Sequence, residues 1–149
     1  MIGKMMDDWA QGIEQDTQGD IDVKVFHGSQ LVRSKSHISA VARGHLEAAL
    51  ISNHDWGQTL PAMGIFSRPF GFKDYTEFKA FLSHPAMSSI EQSLADKNMV
   101  NLGWVWVTNS VGVTSNDKPL VTPTDFNGLK IRSLNRLSNT LFESLGAIP

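Results

Sequence analysis

The chain of 149 residues contains no cysteine. Disulfide frameworks and every zinc site built on thiolates are thereby excluded. The compartment stays open, because envelope proteins that need no disulfide and cytosolic proteins both read this way. No apolar run approaches membrane-spanning length, and the amino terminus reads as an amphipathic helix rather than a secretory leader. A basic cluster is also missing. Thirteen Lys and Arg stand against fifteen Asp and Glu, a net charge of −2, which argues against nucleic acid as the main partner. The signatures G-x-S-x-G, G-x-x-x-x-G-K-[ST] and H-E-x-x-H are absent. His27, His37, His45, His54 and His84 are scattered, with no helical or hairpin pairing suited to a metal. There is no internal repeat and no low-complexity segment. His54-Asp55 could join a base to its orienter, but adjacent residues point apart and no motif ties a nucleophile to them.

What remains is the composition of a globular chain, 41% hydrophobic and 19% charged, long enough for a sizeable core. Ile2, Met5, Met6, Trp9 and Ile13 recur at helical spacing and predict a helix over 2–16, with Met5 and Met6 as core filler. Residues 21–26 alternate and are β-branched, as a strand requires. A helix over 34–43 follows, with Ser34 as cap and Gly44 as stop. Residues 46–51 read as a strand covered on both faces, running into Ser52-Asn53-His54-Asp55-Trp56. In that run polar groups and a large aromatic come together, as a ligand contact or as a capped loop with a packed tryptophan. Residues 62–75, rich in Pro, Gly and aromatics, read as an ordered loop, and Asp74 with Glu77 resembles a capping box. The helix after it turns Phe78, Phe81 and Leu82 inward. Pro85 breaks the chain, and Ile90 and Leu94 mark a helix to about residue 97. Residues 99–107 form the longest strand candidate, with Trp104 and Trp106 on one face and core packing as their favoured role.

The stretch 123–135 organises the end of the chain. Pro123 fixes φ, Asp125 and Asn127 can bond their own backbone, and Gly128 closes a polar turn. Leu129, Ile131 and Ser133 then alternate with Lys130, Arg132 and Leu134, the period of a half-buried strand. Asn135 caps a last helix carrying Leu137, Leu141 and Leu145, with Gly146 as its stop. Strand–helix alternation throughout implies right-handed crossovers and a mostly parallel sheet. Arg132 thus falls near the carboxyl end of a strand, the edge where ligands gather in such folds. Its planar fork of donors matches a carboxylate in two parallel bonds. On pattern alone a solvated surface arginine is the favoured reading.

The run Thr124-Asp125-Phe126-Asn127-Gly128-Leu129-Lys130-Ile131-Arg132, with Asn135 and Leu145-Gly146-Ala147-Ile148-Pro149, changes that balance. It is similar to the "TPEDLKGLKIR…N…ALGANP" segment of the solute receptors of TRAP (tripartite ATP-independent periplasmic) transporters. Val23-Lys24-Val25-Phe26, Gln30-Leu31, Arg68-Pro69-Phe70-Gly71-Phe72-Lys73-Asp74-Tyr75 and Leu102-Gly103-Trp104 extend the resemblance in the same order. It implies an α/β, periplasmic-binding-protein-like fold, two-lobed with mostly parallel sheets. Residues 1–110 would be the first lobe without its N-terminal strand, and 111–149 the start of the second. The chain would then be a fragment lacking also the C-terminal half and the export signal of a periplasmic protein.

By the same resemblance the protein is a receptor and not an enzyme, needs no cofactor, and takes a small organic carboxylate to membrane permease subunits. Arg132 would pair with the carboxylate and Asn135 would add a donor beside it. Ser52, Asn53 and Trp56 would face them across the cleft, and Asn109, on the crossover between lobes, completes the ligand-binding set. Closure would be a hinge motion near 108–111. Val111 stands where many members carry a second cleft arginine, which favours a monocarboxylate or zwitterion over a dicarboxylate. The alternative is a small α/β hydrolase or isomerase working through His54 and Asp55. An incomplete second lobe would make the chain associate and bind weakly.

Overall fold

The computed structural model describes the chain apart from Gln58, Asn109, Ser110, Val111 and Asp117. The expectations attached to Asn109 and Val111 therefore lie outside the described residues. Ile2–Asp16 forms α1, as the spacing of its apolar residues requires, yet only Ala10 is buried on it. Met5 and Trp9 stay partly in solvent, so Met5 does not fill a core. The residues after α1 return along it. Val23 and Val25 are half-buried between exposed neighbours, and His27 Nε2 meets Asp7 Oδ1 at 2.9 Å.

The second helix begins later than its sequence suggests. Ser34–Ser36 is a 3₁₀ turn and α2 spans His37–Ala42. Ser34 does not cap it: its hydroxyl meets that of Ser29 instead, at 3.4 Å. The end is as expected. Gly44 lies at φ +70°, its N–H bonds Val41 O at 2.9 Å, and His45 N–H bonds Ala40 O at 2.8 Å. These paired bonds satisfy the last carbonyls of the helix. Residues 46–51 are not covered on both faces, for Glu47, Ala48 and Leu50 are exposed.

The core gathers around two further 3₁₀ turns, Asn53–Trp56 and Pro61–Ser67, and two helices, α3 (Tyr75–Leu82) and α4 (Ala86–Ala95). Ile38, Trp56, Leu60, Met63, Met87, Ile90, Leu94 and Met99 are buried together. Asp74 caps α3 by accepting from Glu77 N–H at 3.0 Å, and Glu77 returns to the N–H of Lys73 at 2.8 Å, one residue before the cap. Phe66 joins the two layers, with its ring 4.3 Å from that of Trp104 and 6.1 Å from that of Phe78. Trp106 lies 5.0 Å from Phe78. The two tryptophans are thus side by side on the core, in the packing role.

Residues 99–107 do not alternate uniformly. Met99 and Asn101 point inward, then Trp104 and Trp106 do, so the inward parity changes at Gly103. Among the described residues the only strand pairing is one parallel bridge, Lys130 to Ile148. Of the earlier strand positions, 21–26 keep the alternation that packing imposes, and among the described residues none of the earlier positions joins a ladder.

Candidate functional site

The site candidate is built on the turn Pro123–Phe126 and on α5 (Arg136–Ser144). Asp125 Oδ2 accepts from the N–H of Thr122 at 2.7 Å, the N–H of Val121 at 2.9 Å and the Thr122 hydroxyl at 2.9 Å. These bonds, the Thr122 amide first, favour the ionised carboxylate and hold its pKa below the ordinary value. The turn thereby fixes where the next strand starts. Gly128 N–H bonds Gly146 O at 2.8 Å, Ile148 N–H bonds Leu129 O at 2.8 Å, and Ile131 N–H bonds Ile148 O at 2.9 Å. A strand, α5 and a returning strand close on one another. The sequence had offered Gly146 only as a helix stop, and the partner strand beyond it was missed because Ala147-Ile148-Pro149 is too short to show a period.

Within this frame the expected alternation holds. Leu129, Ile131 and Ser133 are half-buried, and Lys130, Arg132 and Leu134 are exposed. The guanidinium of Arg132 forms no ion pair or hydrogen bond among the described residues. Asn135, at φ −160°, caps α5 as expected: its Oδ1 accepts from Ser138 N–H at 2.9 Å and from the Ser138 hydroxyl at 3.1 Å. With that oxygen engaged, the side-chain amide of Asn135 can offer a ligand only its N–H donors. Arg132 and Asn135 therefore present donors and no acceptor, an arrangement suited to an anion.

Ser133 turns its hydroxyl inward to Asn139 Oδ1. This link escaped the sequence reading, although an inward-facing serine in an alternating strand signals a hydroxyl that needs a partner. α5 also reaches the first part of the chain, since a β-carbon on Gly64 would lie 3.6 Å from Leu137 Cδ1.

The second group, Ser52 to Trp56, is divided by the fold. Ser52 is exposed and Asn53 half-buried. Trp56 is only 6% exposed and belongs to the core cluster, so its ring offers no wall to a ligand; an indole of that size is used for burial. Ser52 Oγ meets His54 Nδ1 at 2.9 Å, while His54 Nε2 stands 3.9 Å from Asp55 Oδ1, too far for a hydrogen bond. Among the described residues no hydrogen bond or ion pair joins this turn to Arg132 or Asn135. A surface cleft of about 370 Å³ lies elsewhere, between Arg68, Phe72, Glu77, Phe81 and His84, and includes neither group. Among the described residues there is no cluster of His, Asp and Glu that could hold a metal.

The comparisons agree with this frame. The model of the bacterial extracellular solute-binding proteins, family 7 (DctP), matches residues 1–149. The 2,3-diketo-L-gulonate-binding periplasmic protein YiaO of Escherichia coli is 28% identical over 138 residues, 92% of this chain and 42% of its own length. A TRAP periplasmic solute binding protein of Roseobacter denitrificans, solved with bound β-D-glucuronate, superposes with a TM-score of 0.83 at 30% identity. That match covers 97% of this chain and 48% of the other. One from Sulfurospirillum deleyianum, solved with bound succinate, gives 0.81 at 27% identity, covering 99% and 47%. The chain thus spans about half the length of the relatives it matches, and it superposes on about half of the two-lobed α/β fold of periplasmic binding proteins. From the first residue to the last, the chain belongs to the DctP family, family 7 of the bacterial extracellular solute-binding proteins.

Proposed function

We propose that this chain forms part of the extracytoplasmic receptor of a TRAP transporter, working in the periplasm. It binds a small organic carboxylate and hands it to membrane permease subunits, with no catalytic step. The observation that carries this reading is the Arg132 guanidinium, without an ion pair or hydrogen bond among the described residues, on the strand that leads directly into the donor-only cap Asn135. Arg132 takes the carboxylate in two parallel bonds and Asn135 adds a third donor. Ser52 and Asn53 supply the facing contacts, and Trp56 supports them from the core. Residues 1–110 belong to the first lobe and 111–149 to the second. The family resemblance sets Val111 where other members carry a second arginine. One cation suits one carboxylate, so a hydroxylated monocarboxylate of the sugar-acid kind is the proposed ligand. The relative solved with D-glucuronate and the diketogulonate-binding one support that class. Calorimetric titration with D-glucuronate and succinate tests it: glucuronate should bind at least about tenfold tighter, a gap of roughly 1.4 kcal/mol. Preference for succinate would mean that another residue supplies the second cation.

The contact of Ser52 with His54 favours a second reading, a small hydrolase. Nitrophenyl acetate would report it. We expect no turnover above that of a Ser52→Ala variant.

A further inference from the structure

Arg132 and Asn135 can clasp one carboxylate only if the strand end and the helix start keep a fixed angle. Of the side-chain bonds at this junction, one runs from the strand to the helix. Asn135 Oδ1 is spent on the first turn of α5, through Ser138. Asn139 N–H bonds Asn135 O at 3.0 Å, so Asn139 stands one turn further along the same face of the helix. Its Oδ1 accepts the hydroxyl of Ser133, the residue directly after Arg132. Both partners are half-buried, where a hydrogen bond is shielded from competing water. We infer that Ser133 and Asn139 are positioning residues, whose hydrogen bond sets the angle between Arg132 on the strand and Asn135 on α5 and so preorganises the carboxylate clasp. Neither touches the ligand. Ser133 faces inward while Arg132 faces out, and strand alternation turns a rotation of one into a displacement of the other.

The inference rests on the carboxylate reading above, and one experiment separates the two. The ¹⁵N-labelled chain is titrated with D-glucuronate as wild type, Arg132→Lys, Ser133→Ala, Ser133→Thr, Asn139→Ala and the Ser133→Ala/Asn139→Ala double variant. Ser133→Ala and Asn139→Ala should each weaken binding about three- to tenfold, the worth of one hydrogen bond, and the double variant no further, because the pair acts as a unit. Ser133→Thr keeps the hydroxyl and should bind as wild type does. The amides of residues 37–95 should not move in any of them, which sets a positional effect apart from general unfolding. Ser133→Ala or Asn139→Ala binding like wild type, or additive losses, would overturn the positioning role alone. A wild-type chain whose residues 129–139 ignore D-glucuronate would overturn the carboxylate reading and this inference together.

Discussion

At the scale of single residues, the organising turn depends on one carboxylate. Asp125 accepts two amides and a hydroxyl, and those bonds exist at full strength only with the ionised form. Its pKa is lowered in the folded chain relative to the ordinary 3.8, so the unfolded chain binds a proton at a pH where the folded one does not. The stabilisation is therefore present above the unfolded value and lost as pH falls through the folded one. A carboxyl-carbon titration should place the Asp125 midpoint below the ordinary value of 3.8. Over the same acid range the Val121 and Thr122 amide signals should shift. A midpoint at the ordinary value would mean that the turn is held by other means. Asp125 was legible in the sequence as a turn residue. Its reach to two amides was not, since the geometry appears only once Pro123 has set the path of the chain.

At the scale of elements, the signals that survived were those a short segment enforces alone. Asp74, Asn135, Gly44 and Gly146 mark ends because a helix must satisfy its terminal amides and carbonyls wherever it sits. The signals that failed depended on neighbours. Ser34 is a good cap by type, yet the chain enters through a 3₁₀ turn before it can act as one. Residues 46–51 are apolar enough for burial on both faces, but Leu50 stays 43% exposed. Residues 99–107 read as one strand, though Gly103 changes the inward parity. Of the expected site, Arg132 and Asn135 were legible because a strand and a cap place them, whereas the burial of Trp56 is a tertiary fact. Gly146 offers the sharpest test at this scale. It holds φ +76°, and a β-carbon there would meet Asn127 Oδ1 at 2.9 Å. Gly146→Ala should cost about 1–2 kcal/mol in urea unfolding from the left-handed backbone alone, with the clash added. It should also expose the Gly128 and Ile148 amides to exchange. An unchanged midpoint would show that the returning strand does not hold the site's frame.

At the scale of the whole molecule, the face opposite the core is unusually apolar. Val100 is 79% exposed, Leu102 71% and Val107 57%, and among the described residues no ladder covers the strand positions that carry them. Apolar side chains exposed together in this way invite association with another chain. The chain should therefore associate with rising concentration in sedimentation velocity, and Leu102→Lys with Val107→Lys should return it to a monomer. A monomer at all concentrations would show that this face is compatible with solvent.

The central claim remains that Arg132 recognises a carboxylate, and its own Nε–H resonance reports on that bond. D-glucuronate should move the resonance downfield with saturation, and D-glucose, which has no carboxylate, should leave it in place. A resonance that ignores both sugars, or answers both alike, would contradict the account.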